Sequence, residues 1–366
     1  PSMRGALTSL YQLMITFGIL VAAAADHVLV GRDGGWRVAI GLQMVPAVSL
    51  LVVMPLLPRS PRWLVQQGRH EEALAALRTV REEKEAQQEL QEILESHERA
   101  LALGEPRWPE FFEGRVGRLL LLGIALQLLQ QLVGMNAFMY FGPRIFSNLG
   151  LDVNRFQTLI NAVNFIATFP ALFAVDRFGR RVLLVCSAFG MTVACVVMGV
   201  LGYSFVVLQP NGVWTSSSDA SSVGIVVMVF LFIVNFAYGW GPTVWVYNSE
   251  IFPLKYRSWC VATTACANWV GNYVIAQFTP VLLGHLGFAT FFVFAVFTTA
   301  ALLLALWLPE TKGVMLERMD EVFDRKFGCP EEAKGKRGTR SSLPPVRYGA
   351  AVCEDAEGLV VESSQK

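Results

Sequence analysis

Long apolar runs separated by short polar intervals set the plan of this chain. About eight runs, at residues 7–25, 38–57, 119–141, 156–175, 182–208, 223–247, 261–283 and 289–308, come close to or exceed the roughly 18–20 residues that a helix needs to cross about 30 Å of hydrocarbon. Between the second and third runs lies "HEEALAALRTVREEKEAQQELQEILESHERALAL", where Leu74, Leu77, Leu90, Ile93 and Leu94 recur at helical spacing among mixed charges. That pattern predicts amphipathic helices on the cytoplasmic side. After Pro309 the chain turns charged and rich in Gly, Ser and Pro ("KGKRGTRSSLPP"), a composition that predicts disorder.

Composition supports a membrane protein. Of the 366 residues 54% are hydrophobic and 16% charged, whereas soluble domains carry about 25% charged residues. The net charge of +1 gives no reason to expect nucleic acid or an acidic partner. Lys and Arg concentrate in the interval 59–118, in "DRFGRR", in "PLKYR" and in the tail, while "QPNGVWTSSSDASS" and "LGHLG" have none. Basic loops face the cytoplasm, so both ends of the chain are expected there, with Arg32, Arg37, Arg144 and Arg155 as minor counter-examples. The cysteines show no paired spacing, the histidines are scattered, and no nucleophile–base pair, P-loop or metal-ligand motif occurs. Neither an enzyme nor a cofactor nor a metal is expected. The chain opens on Pro1, and we expect an N-terminal part to be missing.

Several polar groups sit in what reads as lipid. Gln127, Gln130 and Gln131, spaced i, i+3, i+4, share one helix face, and Asn136 follows shortly after. Gln12, Asn164, Asn268 and Asn272 lie in other apolar runs. A buried amide without a partner costs roughly 2–7 kcal/mol, so these side chains face either a partner helix, as interhelical glue, or a water-filled cavity. The cavity is the favoured alternative. Amides both donate and accept, as sugar hydroxyls do, and no ionisable residue stands at mid-span, which suits a neutral polyol better than an ion.

In "FAYGWGPTVWVYNSEIF", Gly239, Gly241 and Pro242 interrupt a span and predict a break or hinge. Interrupted helices are where transporters bind and bend. Trp240 and Trp245 flank the break, and an indole can lie against a sugar ring; the alternative of a packing aromatic weighs more at Trp240 than at Trp245. Asp176, Arg177, Arg180 and Arg181 in "DRFGRR", with Glu250 and Arg257 in "SEIFPLKYR", supply acids and bases that could pair in one conformation and part in another, although positive-inside anchoring explains either stretch alone.

The stretches "RGALTSLYQLMITFGIL", "PRSPRWLV", "QLLQQLVGMNAFMYF", "DRFGRR", "GWGPTVWVYNSEIFPLKYR", "NWVGN" and "PETKG" resemble, in order and spacing, the sugar porter family of the major facilitator superfamily, of fungal, algal or plant type. The resemblance implies an all-α membrane protein with the major facilitator fold, in which about eight of twelve transmembrane helices are present together with amphipathic cytoplasmic helices. Residues 1–58 would be the last two helices of the N-terminal six-helix half, 59–118 a cytoplasmic linker, 119–308 the C-terminal half and 309–366 a mostly disordered tail. It places Gln12, Gln130, Gln131, Asn136, Asn164, Trp245 and Asn268 in the sugar site, with Gln127 a near neighbour. Asp176, Arg180, Glu250 and Arg257 match the family's cytoplasmic charge network, to which Arg4, Arg177, Arg181 and Glu310 of the same motifs are added. Two departures stand out: Arg59 replaces a usual glutamate, and Ala237 stands where some animal facilitators carry one.

The function so implied is transport of a monosaccharide or polyol by alternating access, as facilitator or proton symporter, in the plasma membrane. The partners are then a small sugar or polyol, protons in a symporter, and the lipid bilayer, without nucleic acid. The alternatives are a sugar-binding nutrient sensor with a transporter fold and a non-transporting fragment.

Overall fold

A computed structural model describes residues 4–29, 31–102, 104, 108–112, 114–148, 152–209, 214–253, 255–314 and 323. The chain divides after Val322, and of the segment from Phe323 onward only Phe323 is described, so the expectation of a disordered tail falls almost wholly outside the described residues. Everything below concerns the unit up to Val322.

The apolar runs fold as helices. α1 is Arg4–Leu29, and α2 (Gly35–Leu42) and α3 (Met44–Val53) follow through the helical linker residue Gln43. α4 (Pro61–Gln66), α5 (His70–Arg78) and α6 (Glu83–Ala102) form the linker. α7 (Gly114–Leu132), α8 (Met135–Asn148), α9 (Val153–Phe178) and α10 (Arg180–Phe205) come next. α11 (Asp219–Tyr238), α12 (Trp240–Ile251), α13 (Arg257–Leu286) and α14 (Thr290–Trp307) complete the bundle. Among the described residues seven stretches are long and apolar enough to cross a membrane, and the last, Arg257–Trp307, holds both α13 and α14.

Two local features depart from the sequence reading. The run 182–208 ends in a short antiparallel hairpin, β1 (Val206–Leu208) with β2 (Trp214–Ser216), in which Val206 pairs with Ser216. The run 119–141 is two helices, because Gly134 takes φ +95° between α7 and α8, and a Cβ there would lie 2.7 Å from the Phe294 ring. Only glycine satisfies both the backbone and the approach of α14. The amphipathic linker helices close on one another: Leu64, Val65 and Ala73 form a small core against Ala76, Leu90, Ile93 and Leu94. Arg59, the departure from the family pattern, lies with its guanidinium 4.7 Å from the Trp63 ring.

α1 packs along α9, α7 along α13, and α10 against α11 and α14. Phe138 joins three of these helices, with its ring 4.9 Å from Phe232 and stacked 5.6 Å from Phe291. The linker is fastened to the turn before α13, where Glu110 accepts from Lys255 Nζ at 2.9 Å and from the Tyr256 hydroxyl, and the buried Phe111 sits edge-on to Tyr256.

Candidate functional site

A cleft of about 300 Å³ opens among α1, α7, α8, α9, α12 and α13. Gln12, Gln130, Gln131, Asn136, Asn164, Trp245 and Asn268 all line it. Gln127 does not: it is fully buried behind the wall. Tyr11, Thr16, Tyr140, Trp269 and Asn272 join the set. Two of these carried a signal in the sequence, since Asn272 is one helical turn beyond Asn268 and Tyr140 one turn beyond Asn136. Their hydrogen bond, from Tyr140 Oη to Asn272 Oδ1 at 3.1 Å, crosses between α8 and α13.

The amides form a network centred on Asn268. Its Nδ2 donates to Gln127 Oε1 at 2.6 Å and Gln130 Oε1 at 2.7 Å, and its Oδ1 accepts from Gln131 Nε2 at 2.9 Å. Gln131 Oε1 in turn accepts from Asn136 Nδ2. Gln130 Nε2 spends its hydrogens on the carbonyls of Trp240 at 2.9 Å and Gly241 at 2.8 Å, and so ties α7 to the start of α12. Gln127 and Gln130 therefore serve largely as glue. Gln131 and Asn136 are half-buried and present their remaining valences to the cleft.

The glycine-rich interruption is a true break. Gly239 ends α11 with φ −113°, ψ −87°, and a Cβ on it would lie 2.2 Å from Ser187 Cβ. Ser187 repairs the interruption, donating to Asn235 O at 2.7 Å and accepting from Trp240 N at 3.3 Å. Trp240 is fully buried and donates through Nε1 to Leu184 O at 3.0 Å, as a packing residue does. Pro242 occupies the first turn of α12, where a missing N–H is harmless. Trp245 is half-buried at the cleft, with its ring 6.1 Å from Tyr11 and near-perpendicular to it.

The charged residues gather at one end of the bundle. Arg180 Nη2 lies 2.9 Å from Glu250 Oε1 and 3.1 Å from Asp176 Oδ1, with the arginine and Glu250 side chains both buried. Thr311 Oγ1 donates to the other Glu250 oxygen at 2.8 Å. Glu310 accepts from the backbone N–H groups of Arg180 at 2.9 Å and Arg181 at 3.0 Å. Arg181 and Arg257 reach backbone carbonyls, those of Leu306 and Phe252, and Arg177 lies 5.8 Å from the Phe178 ring. The side chain of Arg4 lies outside the described residues.

A family model described as "Sugar (and other) transporter" matches residues 1–323. The arabinose-proton symporter of Escherichia coli K12 is 38% identical over 327 residues, covering 87% of this chain and 67% of the symporter. The high-affinity hexose transporter ght4 of Schizosaccharomyces pombe is 34% identical over 333 residues, covering 88% of this chain and 59% of that protein. Among solved structures, the major facilitator proton:xylose symporter XylE bound to 6-bromo-6-deoxy-D-glucose superposes with a TM-score of 0.71 at 28% identity, covering 87% of this chain and 67% of XylE. With a match over nearly the whole of the described bundle, the chain belongs to the sugar transporter family, whose members carry solutes across membranes rather than transform them, and it has the major facilitator fold.

Proposed function

We propose that this chain carries a neutral monosaccharide or polyol across a membrane by alternating access. The observation that supports the reading most is the cleft lining: among the described residues it consists of amides, a threonine, aromatic rings and aliphatic side chains, with no Asp, Glu, Lys or Arg. Hydroxyls can donate to and accept from such amides, and indole faces can cover a sugar ring. An ionic solute would leave its charge without a partner. The relatives point the same way, since they include an arabinose-proton symporter, a galactose-proton symporter and a hexose transporter. By the same comparison a proton is the co-substrate that fits.

In this reading residues 1–58 and 119–308 belong to two halves joined by the linker 59–118. The breaks at Gly134 and Gly239 are the hinges, and the Arg180–Glu250–Asp176 cluster is a contact that holds one conformation. Loops rich in Lys and Arg favour an orientation with both chain ends in the cytoplasm, and the membrane of this reading is the plasma membrane.

Uptake tests the proposal. The full-length protein is expressed in cells lacking their own hexose carriers and offered labelled glucose, xylose, arabinose and sorbitol. Saturable, competitor-sensitive uptake of at least one solute is expected. Trp245→Phe should retain part of it and Trp245→Ala should lose most, because stacking area survives only the first change. Uptake of none of them by well-expressed protein would overturn the reading.

A further inference from the structure

α10 turns one face to α12, on which Arg180, Leu183, Leu184 and Ser187 follow at i, i+3, i+4 and i+7. Each meets α12 in its own way. Arg180 Nη2 holds Glu250 Oε1 at 2.9 Å, and Leu183 packs in a small core with Val246. The Leu184 carbonyl accepts from Trp240 Nε1 at 3.0 Å, and Ser187 Oγ accepts from Trp240 N at 3.3 Å. α12 is therefore gripped by polar contacts at either end with an apolar contact between them. Leu183 and Val246 can slide past one another without losing a directional bond, whereas the end contacts fail once stretched.

At the break the grip has two sides. Ser187 is fully buried, and its hydroxyl also donates to Asn235 O at 2.7 Å, so one oxygen joins the last turn of α11 to the first N–H of α12. In an uninterrupted helix that N–H would serve Phe236 O. From the other side Gln130, in the cleft wall, holds the Trp240 and Gly241 carbonyls. Ser187 itself does not line the cleft, so it can act on a solute only through the placement of α12.

α12 is a short rigid segment with the break at its root. Trp245 lies about 7.5 Å and Glu250 about 15 Å along it from Trp240, and the two side chains leave the helix about 140° apart. A tilt of about 10° at Gly239 would move Trp245 by about 1 Å and Glu250 by about 3 Å. The larger displacement is enough to part the Arg180–Glu250 pair, so the position of the indole at the cleft and the closure of the ion pair move together.

We propose that Ser187 is a positioning residue for transport: its hydroxyl and the Arg180–Glu250 pair are the two ends of one clasp by which α10 holds α12, and with it Trp245, in the arrangement seen here. The clasp opens and closes as a unit when the carrier changes the side to which the cleft is open. The proposal rests on the sugar-or-polyol reading and adds a residue outside the cleft that sets the balance between the two conformations.

The test measures half-saturation for entry and for exit on the full-length protein in proteoliposomes, with the proton gradient collapsed, using whichever of glucose, xylose, arabinose and sorbitol the unsubstituted protein carries. Ser187→Ala weakens one conformation only, so half-saturation should rise several-fold on one face of the membrane and fall on the other. Ser187→Cys, which keeps the size and a weak donor, should give a smaller shift in the same sense. Glu250→Gln, at the other end of the clasp, should also shift in that sense, and the double variant should shift by less than the product of the two single effects. Unchanged half-saturations, or a change in the same direction on both faces, assign Ser187 to packing and overturn the proposal. A double shift equal to the product makes the two contacts independent anchors and overturns the single clasp. Should Ser187→Ala fail to insert, Ser187→Cys decides, and equal half-saturations to those of the unsubstituted protein overturn the proposal. An unsubstituted protein that carries none of the four solutes removes the transport reading itself, before any substitution is made.

Discussion

Glu310 caps α10 from a distant part of the chain: its carboxylate accepts from the backbone nitrogens of Arg180 and Arg181, 130 and 129 residues earlier. Oε1, which serves Arg180, also accepts from the N–H groups of Thr311 and Lys312 at 3.0 Å. Gly179 makes room, since a Cβ there would stand 2.6 Å from Glu310 Oε2.

This arrangement gives a stability ranking. Glu310→Ala removes a cap and a negative charge at a helix N-terminus, together worth about 1–2 kcal/mol, and Glu310→Gln keeps an acceptor and should cost less. Glu250→Ala should cost more than either, about 3–5 kcal/mol, because it strips the main partner from a buried guanidinium. Thermal unfolding of the purified protein in detergent should give melting temperatures in the order unsubstituted, Glu310→Gln, Glu310→Ala, Glu250→Ala. An inverted order of the last two would mean that Arg180 is served by Asp176 alone.

The linker contact has a pH signature. The hydrogen bond to Glu110 raises the Lys255 ammonium above its ordinary range, and burial, then Glu110, raises the Tyr256 hydroxyl. In both cases the folded state favours the protonated form. The stabilisation is therefore complete below the ordinary values, about 10 for both groups, and is lost as pH rises through the elevated ones. Hydrogen exchange of the Trp108–Phe111 segment, corrected for intrinsic rate, should stay flat from about pH 6 to 9 and increase only in alkali. Glu110→Gln should raise it throughout. A rise centred near neutrality would assign the attachment to a different group.

Much of this was legible in the sequence. Run length alone located the spanning helices, and Gly239 with Pro242 marked one break, because those residues cannot support an uninterrupted helix. The second break was not marked by any proline. Its cause is tertiary: Phe294 presses on Gly134 from a helix about 160 residues away in sequence, and only the packed bundle shows it. Spacing put Gln127, Gln130 and Gln131 on one face, but it could not say which would be consumed by protein partners. That depended on Asn268 and on the Trp240 and Gly241 carbonyls at the start of α12, which only the packed bundle brings against Gln130. Glu310 likewise reads as one more charge of the "PETKG" motif until the end of α14 places it on the N-terminus of α10.

The last prediction follows from the chain of amides that runs Asn136 to Gln131 to Asn268. Each of Asn136→Ala and Gln131→Ala removes a group that faces the cleft, and a lost hydrogen bond of about 0.5–1.5 kcal/mol raises the half-saturation constant several-fold to tenfold. The two losses should not add. Without Asn136, the Gln131 oxygen loses the donor that orients it, so part of the Gln131 contribution is already gone in the single variant. The double variant should therefore be weaker than either single one but stronger than the product of the two effects implies, with a coupling of about 0.5–1 kcal/mol. Asn268→Ala should differ in kind, because it also leaves Gln127 and Gln130 without their shared donor inside the wall. Its effect should appear in folding yield and melting temperature as well as in affinity. The check is half-saturation of uptake for the four members of the cycle, with expression measured in parallel. Strict additivity would show that Asn136 and Gln131 contact the solute independently and that their mutual hydrogen bond breaks when it binds.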